Sequence, residues 1–284
     1  MPSPRRILVE HGLTAHKDRG QNFLVDPQLA RHIVALAGFG AGEVILEIGP
    51  GLGALTRPIL EAGHRVMAVE VDRGLARYLE ETLRPRFPGR LNLIVEDVLK
   101  VDLSALARTA GGKLTIIGNL PYQISSPLLI KLLDHRGIVR KATLMFQREL
   151  ADRIVSRSGS RSYGRLSVLM GYFARVERLA DLEPEAFQPR PKVVSTVLGV
   201  EFKEAPEPPV RSERLFRRVV TAGFSQRRKT LRNALRSALP AVAVEAALAA
   251  ARIDPGRRAE TLTVEEFVAL ANAWPAGDSK EEFR

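Results

Sequence analysis

No cysteine occurs anywhere in this chain, so disulfides, thiol nucleophiles and thiolate-held metals are excluded. Nor is there a long apolar run: none approaches the roughly 20 residues needed to cross a bilayer. The stretch from Met1 to Glu10 has two arginines but no apolar core and no small-residue cleavage site, so it does not read as a signal peptide. The five histidines (His11, His16, His32, His64, His135) are scattered without metal-ligand spacing, and no metal is expected. Acidic residues are in deficit. Thirty-two Asp and Glu stand against 43 Lys and Arg, a formal net charge of +11. Such an excess favours a polyanionic partner, nucleic acid or an anionic surface, and with no membrane segment nucleic acid leads. A soluble cytoplasmic protein is expected.

Short apolar, β-branched runs alternate with helical patterns over the first two thirds of the chain. The runs are Val44–Ile48, Val66–Val71, Leu91–Val95, Leu114–Ile117, Ala142–Phe146 and Val193–Val200. That alternation predicts a mostly parallel, doubly wound α/β sheet covered on both faces. Asp26-Pro27 and Ser126-Pro127 read as helix starts, and Gly63 as a helix stop. The last run is expected to pair antiparallel with Val176–Leu182 as a hairpin at one sheet edge. A proline-rich segment, Ala205-Pro206-Glu207-Pro208-Pro209, marks a domain boundary. Beyond it Ser212–Phe224, Arg227–Leu239, Val242–Arg252 and Thr263–Trp274 read as helices. The expected domains are 1–204, α/β, and 205–284, all-helical.

The first strand runs into Glu47-Ile48-Gly49-Pro50-Gly51-Leu52-Gly53-Ala54, a loop in which glycines let a ligand approach the backbone. Alone, it also satisfies a dinucleotide fingerprint. Pro50 removes one N–H from the turn, which favours a nucleoside cofactor without phosphates. Glu70, ending the second strand, is placed to accept ribose hydroxyls, and Asp97, ending the third, an adenine amine. Read singly, each is equally a solvated strand end.

Asn119-Leu120-Pro121-Tyr122 follows the fourth strand. An adenine N6 is a poor nucleophile because its lone pair is delocalised into the ring. Two acceptors on its hydrogens, the Asn119 side-chain oxygen and the Leu120 carbonyl, would favour a pyramidal nitrogen. Pro121 fixes the backbone that aims the carbonyl. Tyr122 offers a face for a flipped-out base, a contact worth roughly 1–3 kcal/mol. Read in isolation, the tetrapeptide is also a turn closing a strand. Gly20–Leu24 is expected to close over the cofactor. In the loop Ala186–Val193, Phe187 is expected to oppose Tyr122 across the base, while Arg190 and Lys192 meet phosphates.

Charge concentrates in the helical end. Between Arg211 and Arg236 lie nine Lys/Arg and one acid, Glu213, a net +8 in 26 residues. Arg227, Arg228, Lys229 and Arg232 form the expected RNA-positioning face. A solvated basic helix face is the alternative.

Together the segments GQNFL (20–24), EIGPGLGALT (47–56), NLPY (119–122), YGRLSV (163–168), AFQPRPKV (186–193) and QRRKTLRNAL (226–235) resemble the bacterial small-subunit ribosomal RNA adenine-N6,N6-dimethyltransferase family. The resemblance implies a Rossmann-like methyltransferase domain with a helical C-terminal domain. It implies S-adenosyl-L-methionine as methyl donor and S-adenosyl-L-homocysteine as product. It further implies double methylation of two neighbouring adenosines in the 3′-terminal hairpin of small-subunit rRNA, by a monomer acting on a late pre-30S particle and serving as a maturation checkpoint. By the same resemblance the cofactor is held at Asn22, Leu24, Gly49, Glu70, Asp97 and Asn119, with Gly51 added from the glycine loop. The base lies among Asn119, Leu120, Tyr122 and Phe187. Three positions depart from the pattern: Lys17-Asp18-Arg19 lacks an aromatic, Gln123 replaces asparagine, and Arg190 replaces proline. A large-subunit rRNA adenine methyltransferase shares the N-terminal motifs, but QRRKTLRNAL and Leu120 favour the small-subunit enzyme. A non-catalytic nucleic-acid-binding protein on the same fold is disfavoured by the intact Glu70, Asp97 and Asn119.

Overall fold

In the computed structural model residues 3–15 and 20–275 are described; Lys17-Asp18-Arg19 lies outside them. The chain opens with α1 (Pro4–Glu10), then β1 (Phe23–Leu24) and α2 (Pro27–Ala37). The α/β alternation follows as β2 (Val44–Ile48), α3 (Thr56–Glu61), β3 (Arg65–Glu70), α4 (Arg73–Thr82), β4 (Leu91–Val95), α5 (Leu103–Ala110), β5 (Leu114–Asn119), α6 (Tyr122–Asp134) and β6 (Val139–Gln147). After α7 (Arg148–Val155) and α8 (Arg165–Phe173) come β7 (Ala174–Leu182), β8 (Phe187–Gln188) and β9 (Ser195–Phe202). The chain ends in α9 (Glu213–Gly223), α10 (Leu231–Arg236), α11 (Ala241–Ala250) and α12 (Val264–Asn272).

The seven-stranded sheet has the order β4-β3-β2-β5-β6-β9-β7. The pairs β2–β3, β3–β4, β2–β5 and β5–β6 are parallel, and β9 is antiparallel to β6. This is the expected doubly wound, Rossmann-like sheet, with its strand order reversing between β2 and β5. The predicted pairing at one sheet edge is found: β7 is the edge strand there, and β9 lies next to it, inside the sheet between β7 and β6. Burial explains it, since Val197, Leu198 and Val200 are each at most 1% exposed, as interior strands require.

Asp26 caps α2 as predicted, its carboxylate accepting from the Gln28 N–H at 2.7 Å. Ser126-Pro127 is not a helix start. Helix α6 begins at Tyr122 behind Pro121 and carries Pro127 within it. So close to the N-terminus the proline forfeits one intrahelical bond, and buried Leu128, Leu129, Leu132 and Leu133 hold the helix down. Helix α10 likewise starts at Leu231, not Arg227. Thr230 is the capping residue and residues 226–229 form a turn. Helix α1, unforeseen in the sequence, is capped by Ser3 and buries Ile7 and Leu8.

The chain divides into two compact units. One joins the chain up to Ala151 to Glu177–Phe202; the other joins Asp152–Val176 to the chain from Lys203 onward. The expected 204/205 boundary did not foresee that the helical unit draws in the middle segment. Aromatic packing accounts for that recruitment. Tyr172 meets Phe173 and Phe216 at ring-centroid distances of 4.7 and 4.8 Å. Its hydroxyl donates to the Pro208 carbonyl and accepts from the Val210 N–H, fastening the proline-rich linker within this unit. Among the described residues, no helix is long and apolar enough to cross a membrane.

Candidate active site

Open α/β sheets bind ligands beyond the strand C-termini where the strand order reverses. Here that point lies between β2 and β5, paired through Ile48 and Gly118. A Cβ on Gly118 would stand 2.8 Å from the Ile48 carbonyl oxygen, so only glycine lets these strands meet so closely. Beyond their ends is a cleft of about 370 Å³.

All seven residues expected to hold the cofactor line this one cleft: Asn22, Leu24, Gly49, Gly51, Glu70, Asp97 and Asn119. Gly51 has φ +57°, and a Cβ there would stand 3.0 Å from the Phe23 ring, so loop and ring close together. Glu70 is 5% exposed. Its Oε2 accepts from the Gly51 N–H at 3.1 Å and its Oε1 from the Asp72 N–H at 2.9 Å. Burial pushes its pKa upward, against the pull of these backbone donors. Each oxygen retains acceptor capacity for a ligand hydroxyl. Asp97 accepts from the Leu99 N–H at 2.9 Å through Oδ1.

The charges of this cleft run against those of the chain. Among the described residues its lining includes four carboxyl groups, from Glu47, Glu70, Glu96 and Asp97, and no Lys or Arg. Such a surface repels a pyrophosphate and suits a cationic nucleoside, so the residues present fit S-adenosyl-L-methionine rather than a dinucleotide.

The front wall is made by Gly20–Leu24. Strand β1 pairs antiparallel with β8, setting Leu24 opposite Phe187 and Phe23 opposite Gln188. The Asn119 Nδ2 donates to the Asn22 carbonyl at 2.8 Å, and the Asn22 side chain donates to the Gly20 carbonyl at 3.1 Å. Because a carbonyl only accepts, this bond fixes which end of the Asn119 amide is committed and leaves Oδ1 available.

Of the residues expected around the base, Asn119 and Pro121 line the cleft. The Leu120 side chain is buried, and its carbonyl takes no backbone hydrogen bond among the described residues. Tyr122 opens α6 half-buried, its hydroxyl 3.3 Å from the Ser195 Oγ. Phe187 is 3% exposed and belongs to the core cluster that includes Leu24. A base reaches the Phe187 face only after that ring leaves its packing.

The residues expected to meet RNA have different surroundings. Arg190 pairs with Glu185 at 3.1 Å, and Lys192 is exposed. In the helical unit, Arg227 donates to the Arg161 carbonyl at 2.7 Å and lies 3.8 Å from Glu260. Arg232 pairs with Glu245 at 3.3 Å. Arg228 and Lys229 are exposed, and their side chains make no ion pair among the described residues.

Two further residues went unnoticed in the sequence. Glu47, on β2, is 1% exposed, and its Oε2 has no hydrogen-bond partner among the described residues. Burial, reinforced by the Glu70 charge and opposed by Thr56, pushes its carboxyl up to about 8. A carboxylate inside the apolar run Val44–Ile48, immediately before the glycine loop, was the available signal. Lys131, on α6, donates from Nζ to the carbonyls of Val98, Leu99 and Val101 at 2.9, 2.9 and 2.6 Å. It thereby ties the helix after Asn119 to the loop after Asp97. No sequence spacing announces that bond.

Comparison with known proteins gives a consistent result. Two solved structures share the fold. A dimethyladenosine transferase from Plasmodium falciparum superposes with a TM-score of 0.71 at 24% identity, over 87% of this chain and 95% of that one. The 23S rRNA methyltransferase ErmE superposes with a TM-score of 0.67 at 24% identity, over 89% of this chain and 99% of that one. Closer in sequence are proteins named ribosomal RNA small subunit methyltransferase A. The one from Magnetococcus marinus is 47% identical over 94% of each chain. The one from Desulforapulum autotrophicum is 45% identical over 99% of this chain and 100% of its own. The family model for ribosomal RNA adenine dimethylase matches residues 12–274, and this chain, with its acidic nucleoside cleft beside an Asn-Leu-Pro-Tyr turn, belongs to that family.

Proposed function

We propose that this protein uses S-adenosyl-L-methionine to methylate twice the N6 amine of each of two adjacent adenosines in the 3′-terminal hairpin loop of small-subunit ribosomal RNA. The reaction takes place in the cytoplasm, on a late pre-30S particle, with the enzyme as a monomer. One observation carries the reading: a cleft lined, among the described residues, by four carboxyl groups and no basic side chain opens onto Asn119 and Pro121. The relatives bearing the small-subunit name share 41–47% of this sequence, whereas the large-subunit alternative rests on fold likeness alone.

In this reading Glu70 accepts the ribose hydroxyls and Asp97 the adenine amine of the donor. Asn22, Leu24, Gly49 and Gly51 enclose it. The bound donor supplies an electrophilic methyl group on a sulfonium. Asn119 Oδ1, its amide end occupied by Asn22, accepts one N6 hydrogen of the target base, and the Leu120 carbonyl accepts the other. The amine then presents its lone pair along the transfer axis, and alignment supplies much of the acceleration. Tyr122 stacks on the base, and Phe187 joins it once displaced from its packing. The proton departs to water after transfer, when the amine is cationic. Arg190, Lys192, Arg227, Arg228, Lys229 and Arg232 hold phosphates and position the RNA.

The test is to incubate purified protein with unmethylated small subunits and labelled donor, then map the methylated nucleotides. Label confined to two adjacent adenosines of the 3′-terminal hairpin is expected. Label only in large-subunit RNA, or none, refutes the reading. Glu70→Ala should weaken donor binding by roughly 10- to 100-fold, the scale of losing hydrogen bonds to a charged acceptor.

A further inference from the structure

The proposed chemistry leaves two carboxyls of the cleft without a task, exposed Glu96 and buried Glu47. Glu47 is 1% exposed on β2, between Ala68 of β3 and Ile117 of β5. Glu70 approaches from β3 with a charge of the same sign, and Thr56 is the polar group on the side of α3. No Lys, Arg or His forms an ion pair with Glu47 among the described residues, and its Oε2 is an orphan acceptor inside the molecule. A buried carboxylate without a counter-charge is costly enough that the group keeps its proton instead.

A protonated acid is a poor neighbour for a permanent solution, because the ligand proposed for this cleft is a cation. S-adenosyl-L-methionine carries a sulfonium and an ammonium against a single carboxylate. Entering a cleft with no Lys or Arg among the described residues of its lining, it brings positive charge toward Glu47. We infer that Glu47 holds a proton when the cleft is empty and releases it to solvent when the methyl donor binds, which makes donor binding a proton-coupled event. The inference rests on the proposed identity of the donor. It assigns Glu47 the role of a positioning and charge-compensating group, distinct from that of Glu70, whose oxygens each accept one backbone N–H and keep a lone pair for the ribose hydroxyls.

The expected size follows from where the group titrates. With a free carboxyl near pH 8, about 0.9 of Glu47 is protonated at pH 7. Donor binding should then release close to one proton, and the Kd should fall nearly tenfold between pH 6 and pH 7. In that window the donor's own amine, with an ordinary pKa of roughly 8, stays mostly charged.

Isothermal titration of the full chain with S-adenosyl-L-methionine, in buffers of differing ionisation enthalpy at pH 7, counts the released protons directly. Infrared difference spectra should show a protonated-carboxyl band that disappears when the donor is added. That band should already be missing in unliganded Glu47→Gln, a comparison that does not require the variant to bind. Where the variant binds, its Kd should be flat between pH 6 and pH 7. Zero proton release by a wild-type protein that binds the donor overturns the inference while leaving the proposed function standing. A band, or a proton count, unchanged in Glu47→Gln assigns the proton elsewhere and overturns it too. Failure of the wild-type protein to bind the donor at all refutes the proposed function, and this inference with it.

Discussion

The side-chain amide of Asn119 is held by the backbone of Asn22, 97 positions earlier, across 2.8 Å. One hydrogen bond therefore both ties the front wall of the cleft to β5 and orients the Asn119 oxygen, which the proposed function directs at the reacting amine. Asn119→Ala removes the acceptor and releases the wall. We expect turnover to fall on the order of 10²-fold, typical of losing one preorganised polar contact to a transition state. RNA affinity should stay nearly constant, since the contact acts mainly on the reacting group. Single-turnover kinetics and RNA binding measured side by side check this. Equal losses in both would reduce Asn119 to a structural role.

Gly51 gives a second prediction. Its left-handed backbone and the Phe23 ring at 3.0 Å leave no room for a side chain. Gly51→Ala should cost about 1–2 kcal/mol in backbone strain alone. For a chain of this size that lowers the midpoint of thermal unfolding by roughly 2–8 °C. Donor affinity should fall as well, because Phe23 is displaced from the cleft wall. An unchanged melting temperature with full affinity would mean that the loop relaxes freely.

The basic turn before α10 makes a graded prediction. Arg228 and Lys229 are exposed, while Arg227 already holds the Arg161 carbonyl. Replacing Arg228 and Lys229 by alanine should make the slope of log K against log salt shallower by about 1.4–1.8. Adding Arg227→Ala should change the slope by less than a further full phosphate contact. Filter binding to the hairpin RNA across a salt series distinguishes the two steps. Identical slopes for wild type and double variant would put the RNA on another surface.

Lys131 offers a prediction about communication inside the site. Its ammonium holds three carbonyls of the segment that follows Asp97, and burial shifts its pKa downward against the pull of Asp97 and Asp102. Lys131→Met retains the length of the side chain and strands those acceptors. The KM for the methyl donor should rise several-fold while kcat and RNA affinity change little, and Lys131→Arg should restore most of the loss. A melting temperature that falls with unchanged KM would make Lys131 a stabilising residue only.

Much of the fold was legible because its signals are local. Five of the six apolar runs match strands β2 to β6 within a few residues, and the sixth, Val193–Val200, overlaps β9 with a short shift. Asp26-Pro27 was readable for the same reason. Ser126-Pro127 was misleading because the packing of four leucines on α6 outweighs the single hydrogen bond that Pro127 forfeits. The start of α10 was misplaced because the helical pattern continues through Arg227, whereas the cap depends on Thr230. The recruitment of Asp152–Val176 into the helical unit depends on where Tyr172 finds Phe216, a contact between distant segments. The candidate site shows the same division. Its glycine loop, Glu70, Asp97 and Asn119 follow strand ends and were found by position. Glu47 and Lys131 matter through burial and long-range bonds, which no spacing records.

The short ladder between β1 and β8 has a consequence for how the protein is made. The wall of the cleft is contributed by residues 23–24, but its pairing partner arrives only at residues 187–188. While the chain emerges from N- to C-terminus, the glycine loop and the Asn119 turn are available long before the strand that secures their cover. A nascent chain halted before Phe187 thus owns every polar group assigned to the donor and still has an unlatched door. Capture of the methyl donor should begin only as the final stretch of the sheet is translated.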